Sequence, residues 1–222
     1  MMDKPNRYQA VLFDLDGTLL DTANDLGAAL NHVLKQHNMP QVPAEAFRPV
    51  ASDGAKGLLE LGFGNALTSL DYDLLRQEFL RYYRENIARH TCFYQGIAQL
   101  LTALNKHRLP WGVVTNKPIA LTEKLLPHYP LFQHCAVTVG GDSLAQRKPH
   151  PAPLLYASSQ LALEPEQCLY VGDALRDIQA GNEAKMTTVV AKWGYIADPR
   201  ECDAWQADLL ADHPADILAY IL

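Results

Sequence analysis

The sequence predicts a doubly wound α/β fold: a Rossmann-like parallel sheet carrying an inserted all-helical cap. Three observations predict it. Short apolar runs alternate with amphipathic stretches along most of the 222 residues. The runs are continuously apolar, as strands covered on both faces are, instead of alternating. About ninety residues of nearly all-helical pattern separate the first run from the second, far more than a crossover needs.

In chain order, residues 8–13 form the first strand. Within the insert, residues 24–37 repeat apolar positions at Leu26, Leu30, Val33 and Leu34, and residues 53–61 and 71–89 are further helix candidates. Pro40, Pro43 and Pro49 punctuate the first half of the insert. Strands are then expected at 110–114, 135–139, 168–171 and 187–191, with a weaker one at 208–210. Amphipathic helices at 96–107, 119–126, 151–161 and 175–184 fall between them. The expected division is a discontinuous core, 1–18 plus 92–222, and a cap at 19–91. A cap placed directly after the first strand would sit over the carboxyl ends of the sheet, where open α/β sheets bind ligands, and would make the site a cleft with a lid.

Composition narrows the function classes. Net charge is −6, and the nineteen Lys and Arg are dispersed rather than gathered into a stripe, so no nucleic-acid partner is expected. Cys92, Cys135, Cys168 and Cys202 lack Cys-x-x-Cys spacing and read as reduced thiols, and the eight histidines lack ligand spacing. No apolar run approaches the ~20 residues of a membrane span, and the start Met-Met-Asp-Lys-Pro-Asn-Arg has no signal-peptide core. The expectation is a cytoplasmic protein, a monomer or homodimer, with a small-molecule substrate and neither nucleic-acid nor membrane partners.

The chemistry lies where the strands end. Phe13-Asp14-Leu15-Asp16-Gly17-Thr18 places two carboxylates two residues apart, which on an extended chain point the same way. Crowded acids repel and invite a shared proton or a hard divalent cation; an ordinary Asp-Gly turn is the bland alternative. Val114-Thr115-Asn116-Lys117-Pro118 offers a hydroxyl, an amide and backbone N–H groups to an anion, or simply a helix cap. Arg147-Lys148-Pro149 sets a lysine before a Pro-initiated helix, where it could hold an oxyanion, quiet a carboxylate, or be a solvated charge. Gly172-Asp173 and Asp177 lie one helical turn apart and can face one site, or can serve as cap and first-turn acid. Four strand ends bearing chemistry at the predicted ligand edge favour a site. Asp14, Asp16 and Asp173 would supply oxygen ligands to Mg²⁺.

These four segments, in this order, resemble the haloacid dehalogenase-like phosphohydrolases over essentially the whole chain. The phosphoglycolate phosphatase branch is closest through Val114-Thr115-Asn116-Lys117-Pro118, Gly140-Gly141-Asp142-Ser143-Leu144 and Arg147-Lys148-Pro149-His150-Pro151. Val50-Ala51-Ser52-Asp53-Gly54 and Trp193-Gly194-Tyr195-Ile196 also look like phosphatases acting on N-acetylmuramic acid 6-phosphate. The resemblance implies Mg²⁺-dependent hydrolysis of a phosphomonoester. Asp14 would attack phosphorus to form an aspartyl-phosphate, and Asp16 would protonate the leaving alcohol and then activate water. Thr115, Asn116 and Lys148 would hold phosphate and substrate. Asp177 would steady Lys148 or a metal-bound water, or ligate the metal itself. Arg48, Asp53 and Lys56 are candidate cap residues for reading the leaving group. A phosphomutase and a phospho-acceptor signalling module are the alternatives; the Asp16 partner and the helical insert argue against phosphate storage. Where the family often has Gly after the helix following Asp173, this chain has Lys185, expected to cost about 1 kcal/mol if the helix ends left-handed.

Overall fold

The computed structural model describes residues 8–221. The chain runs β1 (Ala10–Phe13), β2 (Leu20–Asp21), α1 (Ala23–Gln36), α2 (Ala44–Phe47), α3 (Gly54–Phe63), α4 (Tyr72–Glu85), β3 (Cys92–Phe93), α5 (Ile97–Lys106), β4 (Trp111–Val114) and α6 (Ile119–Leu125). It continues with β5 (Val137–Val139), α7 (Ala152–Gln160), β6 (Cys168–Gly172), α8 (Leu175–Glu183), β7 (Thr187–Ala191), β8 (Leu209–Ala211) and α9 (Pro214–Ile221). Six strands form one parallel sheet in the order β5-β4-β1-β6-β7-β8. The chain moves outward from β1 through β4 to β5 and then returns to β6 on β1's other side. The crevice beside β1 is therefore the topological switch point.

Burial follows strand alternation. Val11 and Phe13 join Trp111, Val113, Leu169 and Val171 on one face, continuous with α1 and α5. Ala10 and Leu12 join Val114, Tyr170, Leu154 and Ala180 on the other, under α7 and α8. All four residues of β1 are wholly buried, which explains its unbroken apolar run. Phe13 is level with Val113 on β4 and Val171 on β6, so the residues just beyond these strands meet at one edge.

An antiparallel ribbon brackets the helical insert, Leu20 opposite Phe93 and Asp21 opposite Cys92. Two-residue strands carry no periodicity, so the sequence did not announce them. Leu26, Leu30, Val33 and Leu34 of α1 are buried with Leu58, Leu59 and Phe63 of α3 and Leu75, Phe79 and Tyr83 of α4, as their spacing requires. The Asp25 carboxylate on α1 accepts from the backbone of His90 and Thr91 and from the Thr91 hydroxyl, fastening the insert's exit to its entrance. Helix α4 starts where Asp71 caps the Leu74 N–H, at 3.1 Å, but stops at Glu85 rather than Arg89 because Asn86 caps it, its amide donating to Tyr82 O. Helix α9 was not foreseen. No described helix is long and apolar enough to cross a membrane.

Lys185 does occupy the left-handed region, with φ +62°, and Met186 N–H closes the helix end onto Gly181 O at 3.0 Å. A Cβ in that conformation is strained. Lys185→Gly is expected to raise stability by about 1 kcal/mol, or roughly 2–4 °C in midpoint. A thermal melt showing no gain would mean the strain is relieved elsewhere.

Candidate active site

At the carboxyl edge of β4, β1 and β6, the chain brings together Asp14, Thr115 and Asp173, with Lys148 and Asp177 beneath them. One carboxylate oxygen each of Asp14, Asp173 and Asp177 lie within 4.8 Å of one another. Strand β1 ends at Phe13, and the Asp14 N–H donates to Val171 O, which holds this residue at the β6 side. The turn is possible because Gly17 takes φ +86°. A Cβ there would collide with the Asp173 carboxylate, so glycine at this position is also what lets that acid approach.

Lys148 is the counter-charge. Its ammonium lies 3.0 Å from Asp14 Oδ1 and 2.7 Å from Asp177 Oδ1, and it donates to Val114 O and the Tyr170 hydroxyl. Burial alone would lower its pKa, but Asp14 and Asp177 outweigh that and hold it above the ordinary lysine value. These contacts quiet the crowded carboxylates and rule out a solvated surface charge. Asp177 is wholly buried, and its second oxygen accepts from Ala174 N–H.

The acids are crowded even so. Burial, opposed by Lys148 and reinforced by Asp177 and Asp16, pushes Asp14 up to about 6. Burial, then Asp14 and Asp177, push Asp173 up to about 7, although it accepts from Thr18 Oγ1, Tyr195 N–H and Ser52 Oγ. Three carboxylates against one ammonium, with only oxygen donors, form a site suited to a hard divalent cation.

Asp16 departs from expectation. Its carboxylate accepts from Lys117 Nζ at 2.9 and 3.2 Å and from Thr22 Oγ1 at 2.6 Å, and it lies outside the carboxylate cluster. The reason is local: alternation fails because the strand has ended and residues 14–20 form a turn in which Leu15 O accepts from Thr18, Leu19 and Leu20. Both Asp14 and Asp16 still line one cleft of about 630 Å³ between sheet edge and insert, with Thr115, Asn116 and Lys148. Thr115 is not a helix cap, since α6 starts after Pro118. Its hydroxyl accepts from Lys117 N–H at 3.2 Å.

The cap candidates divide. Asp53 and Lys56 line the cleft; Asp53 is paired with Arg176, and Lys56 lies 3.9 Å from Glu60. Arg48 does not line it. It pairs with Asp21 and stacks over the Tyr195 ring, at the ribbon that joins insert to core. Its place at a helix junction after Phe47 turns it toward the ribbon instead of the cleft.

Several residues were not singled out from sequence. Lys117, inside the motif that was, is buried against Asp16 and sits 4.5 Å above the Tyr83 ring. Tyr195 entered only as part of the Trp193-Gly194-Tyr195-Ile196 segment, with no role of its own. Its hydroxyl accepts from Thr22 and Ala23 N–H at 2.6 and 2.9 Å and donates to Asp21, while its own N–H holds Asp173. It thus caps α1 from across the chain, a role that Asp21, 3.4 Å from Ala23 N, fills only weakly. Ser52 and Arg176 tie insert to core through Asp173 and Ser52 O. No local pattern announces such long-range partners.

Comparison with known proteins agrees with this geometry. A family model described as haloacid dehalogenase-like hydrolase matches residues 11–191. The chain is 41% identical over 215 residues to an N-acetylmuramic acid 6-phosphate phosphatase of Pseudomonas aeruginosa, covering 97% of this chain and 95% of the other. It is 41% identical over 209 residues to a phosphoglycolate phosphatase of Xanthomonas campestris, covering 94% of each. A crystal structure described as a predicted phosphoglycolate phosphatase from Haemophilus somnus superposes with a TM-score of 0.86 at 29% identity, covering 97% of this chain and 99% of that one. With the motifs, the sheet order and the carboxylate cluster in agreement, the chain belongs to the haloacid dehalogenase-like hydrolases.

Proposed function

We propose that this protein is a magnesium-dependent phosphatase that hydrolyses a small-molecule phosphomonoester through an aspartyl-phosphate on Asp14, its substrate falling within the phosphoglycolate and N-acetylmuramic acid 6-phosphate classes of its relatives. The observation that carries this reading is Asp14 itself. One of its oxygens is fixed by Leu15 N–H at 2.7 Å and Lys148 at 3.0 Å, while the residue opens onto the cleft, so a second oxygen is left to attack phosphorus. A carboxylate nucleophile forms a mixed anhydride that water can reopen.

Mg²⁺ held by Asp14, Asp173 and Asp177 would neutralise charge on the phosphate oxygens. Lys148, Thr115 and the backbone after Thr115 hold the transferring group at the sheet edge, which suits a reaction governed by positioning and charge neutralisation. Asp16 carries the proton to the leaving oxygen and later takes one from water. To do so its carboxylate swings off Lys117 and Thr22, its resting partners. Residues 19–91 act as the cap, which touches the core through Ser52 and Arg176. Multiple turnover of p-nitrophenyl phosphate with Mg²⁺, abolished by chelation, is the expected result; a single stoichiometric phosphorylation without turnover would favour a signalling module.

The raised carboxylates also fix a pH dependence. Asp14 and Asp173 titrate near 6 and 7 when folded, against 3.8 as the unperturbed value. They bind protons more tightly in the folded metal-free protein, so their stabilising contribution is full below about pH 4 and is lost as pH rises through 6 to 7. Metal binding needs them ionised. At about 100-fold excess over its dissociation constant, Mg²⁺ is expected to raise the thermal midpoint by roughly 5–11 °C at pH 8, and by much less at pH 5.5. Equal shifts at both values would contradict the assignment of these carboxylates as ligands.

A further inference from the structure

The cleft has more room than a two-carbon leaving group needs, and aromatic side chains line part of it. 2-Phosphoglycolate, about nine water volumes at ~30 Å³ each, needs ~270 Å³, whereas the partly open cleft, phosphoryl end included, holds about 630 Å³. Nor does this room come from a detached lid, because Ser52 Oγ already reaches Asp173 at 3.1 Å and Arg176 donates to Ser52 O at 2.6 Å.

The wall opposite the sheet edge is made by residues 51–60 and by one face of α4. Tyr72, Arg76, Phe79, Leu80 and Tyr83 recur at helical spacing, and all line the cleft. Among the cleft's cations, Lys117 and Lys148 are committed to carboxylates of the site, Lys56 lies beside Glu60, and Arg176 holds Asp53. Arg76 and Arg147 have no ion-pair or hydrogen-bond partner among the described residues. Arg147 adjoins Lys148 at the phosphate end. Arg76 is thus the uncommitted cation of the helical wall, a planar guanidinium able to take a carboxylate through two parallel bonds. Two neutral groups of the same cleft also have capacity to spare: Asn116 Oδ1 is buried without a hydrogen-bond partner, and the buried Tyr83 hydroxyl, beside the Lys117 ammonium, has its own proton uncommitted. Asn116 Oδ1 accepts only, so it asks for a donor, and the Tyr83 hydroxyl can donate to an acceptor.

We propose that the alcohol released here is a sugar-sized, hydroxylated body bearing a carboxylate remote from phosphorus, and that Arg76 reads that carboxylate; this rests on phosphomonoester hydrolysis at Asp14. The hydroxyls or amide of such a body would satisfy Tyr83 and Asn116, and its apolar ring face would lie on the aromatic side of α4.

The test compares kcat/KM for N-acetylmuramic acid 6-phosphate, for N-acetylglucosamine 6-phosphate, which keeps the ring but lacks the lactyl carboxylate, and for 2-phosphoglycolate, in wild type, Arg76→Gln and Arg76→Lys. p-Nitrophenyl phosphate reports phosphatase chemistry alone. The wild type is expected to prefer the muramic compound over each of the other two by between about tenfold and a hundredfold, the worth of a hydrogen bond to a charged group. Arg76→Gln should compress the muramic-to-glucosamine ratio to within about threefold, and Arg76→Lys should restore part of it. Because each ratio is taken within one preparation, the fraction of folded enzyme cancels. A wild-type ratio near one, a ratio unaltered by Arg76→Gln, or 2-phosphoglycolate as the best substrate overturns the proposal. Failure to turn over any of the four compounds sinks the phosphatase reading itself, and the proposal with it.

Discussion

Asp14→Asn is expected to remove phosphatase turnover, leaving below about one-thousandth of the wild-type rate, in a protein that folds at least as well as the parent. The amide keeps a carbonyl oxygen for Leu15 N–H and Lys148, so the geometry survives. What it loses is the nucleophilic carboxylate. It also removes a buried negative charge from beside Asp177 and Asp16, the repulsion that together with burial raises Asp14 to about 6. Metal-free Asp14→Asn should therefore melt higher than the metal-free wild type at pH 8, with little difference at pH 4. Such opposition between stability and activity is usual where an active site is held in an unfavourable electrostatic arrangement. A variant that kept more than a few per cent of the rate would remove Asp14 from the role of nucleophile.

Lys148→Met is expected to damage both properties. The ammonium answers two carboxylates, Val114 O and the Tyr170 hydroxyl, all in a buried setting. Methionine fills the space and answers none of them. Removing one partner of a buried ion pair costs about 3–5 kcal/mol, and losing one electrostatic contact to the transition state typically costs 10²- to 10³-fold in kcat. The stability loss should be pH-dependent, because Asp14, already raised to about 6, can recover part of it by taking up a proton. Denaturant midpoints at pH 8 and pH 6 check this: the loss should shrink at pH 6. A loss of the same size at both values would mean that packing, not charge, is what Lys148 supplies.

Much of this was legible because the relevant physics is local. Continuous apolar runs such as 168–171 mark strands buried on both faces, and their ends mark the sheet edge where Asp14, Thr115 and Asp173 meet. The helical period of 24–37 likewise predicts which face of α1 is buried. What stayed hidden depends on partners far apart in the chain. Lys117 closes on Asp16 across 101 residues, and the Tyr195 hydroxyl caps α1 across 173. The error at Asp16 has the same origin: strand alternation was extended one residue pair past Phe13, where the turn stabilised by Leu15 O had already taken over. Arg48 was placed near the cleft from its position in the insert, but its direction is set by Asp21 and Tyr195, which sequence spacing does not bring together.

The central claim is that Asp14 carries the phosphoryl group during turnover. The most direct measurement is to quench the enzyme during steady-state hydrolysis of p-nitrophenyl phosphate with Mg²⁺, reduce it with borohydride, and map its peptides. An aspartyl-phosphate is reduced to homoserine, whereas a free carboxylate is not. Homoserine is expected at position 14 and at no other aspartate, dependent on both substrate and metal. Homoserine at Asp16, Asp173 or Asp177, or unmodified Asp14 in an enzyme turning over, would contradict the claim.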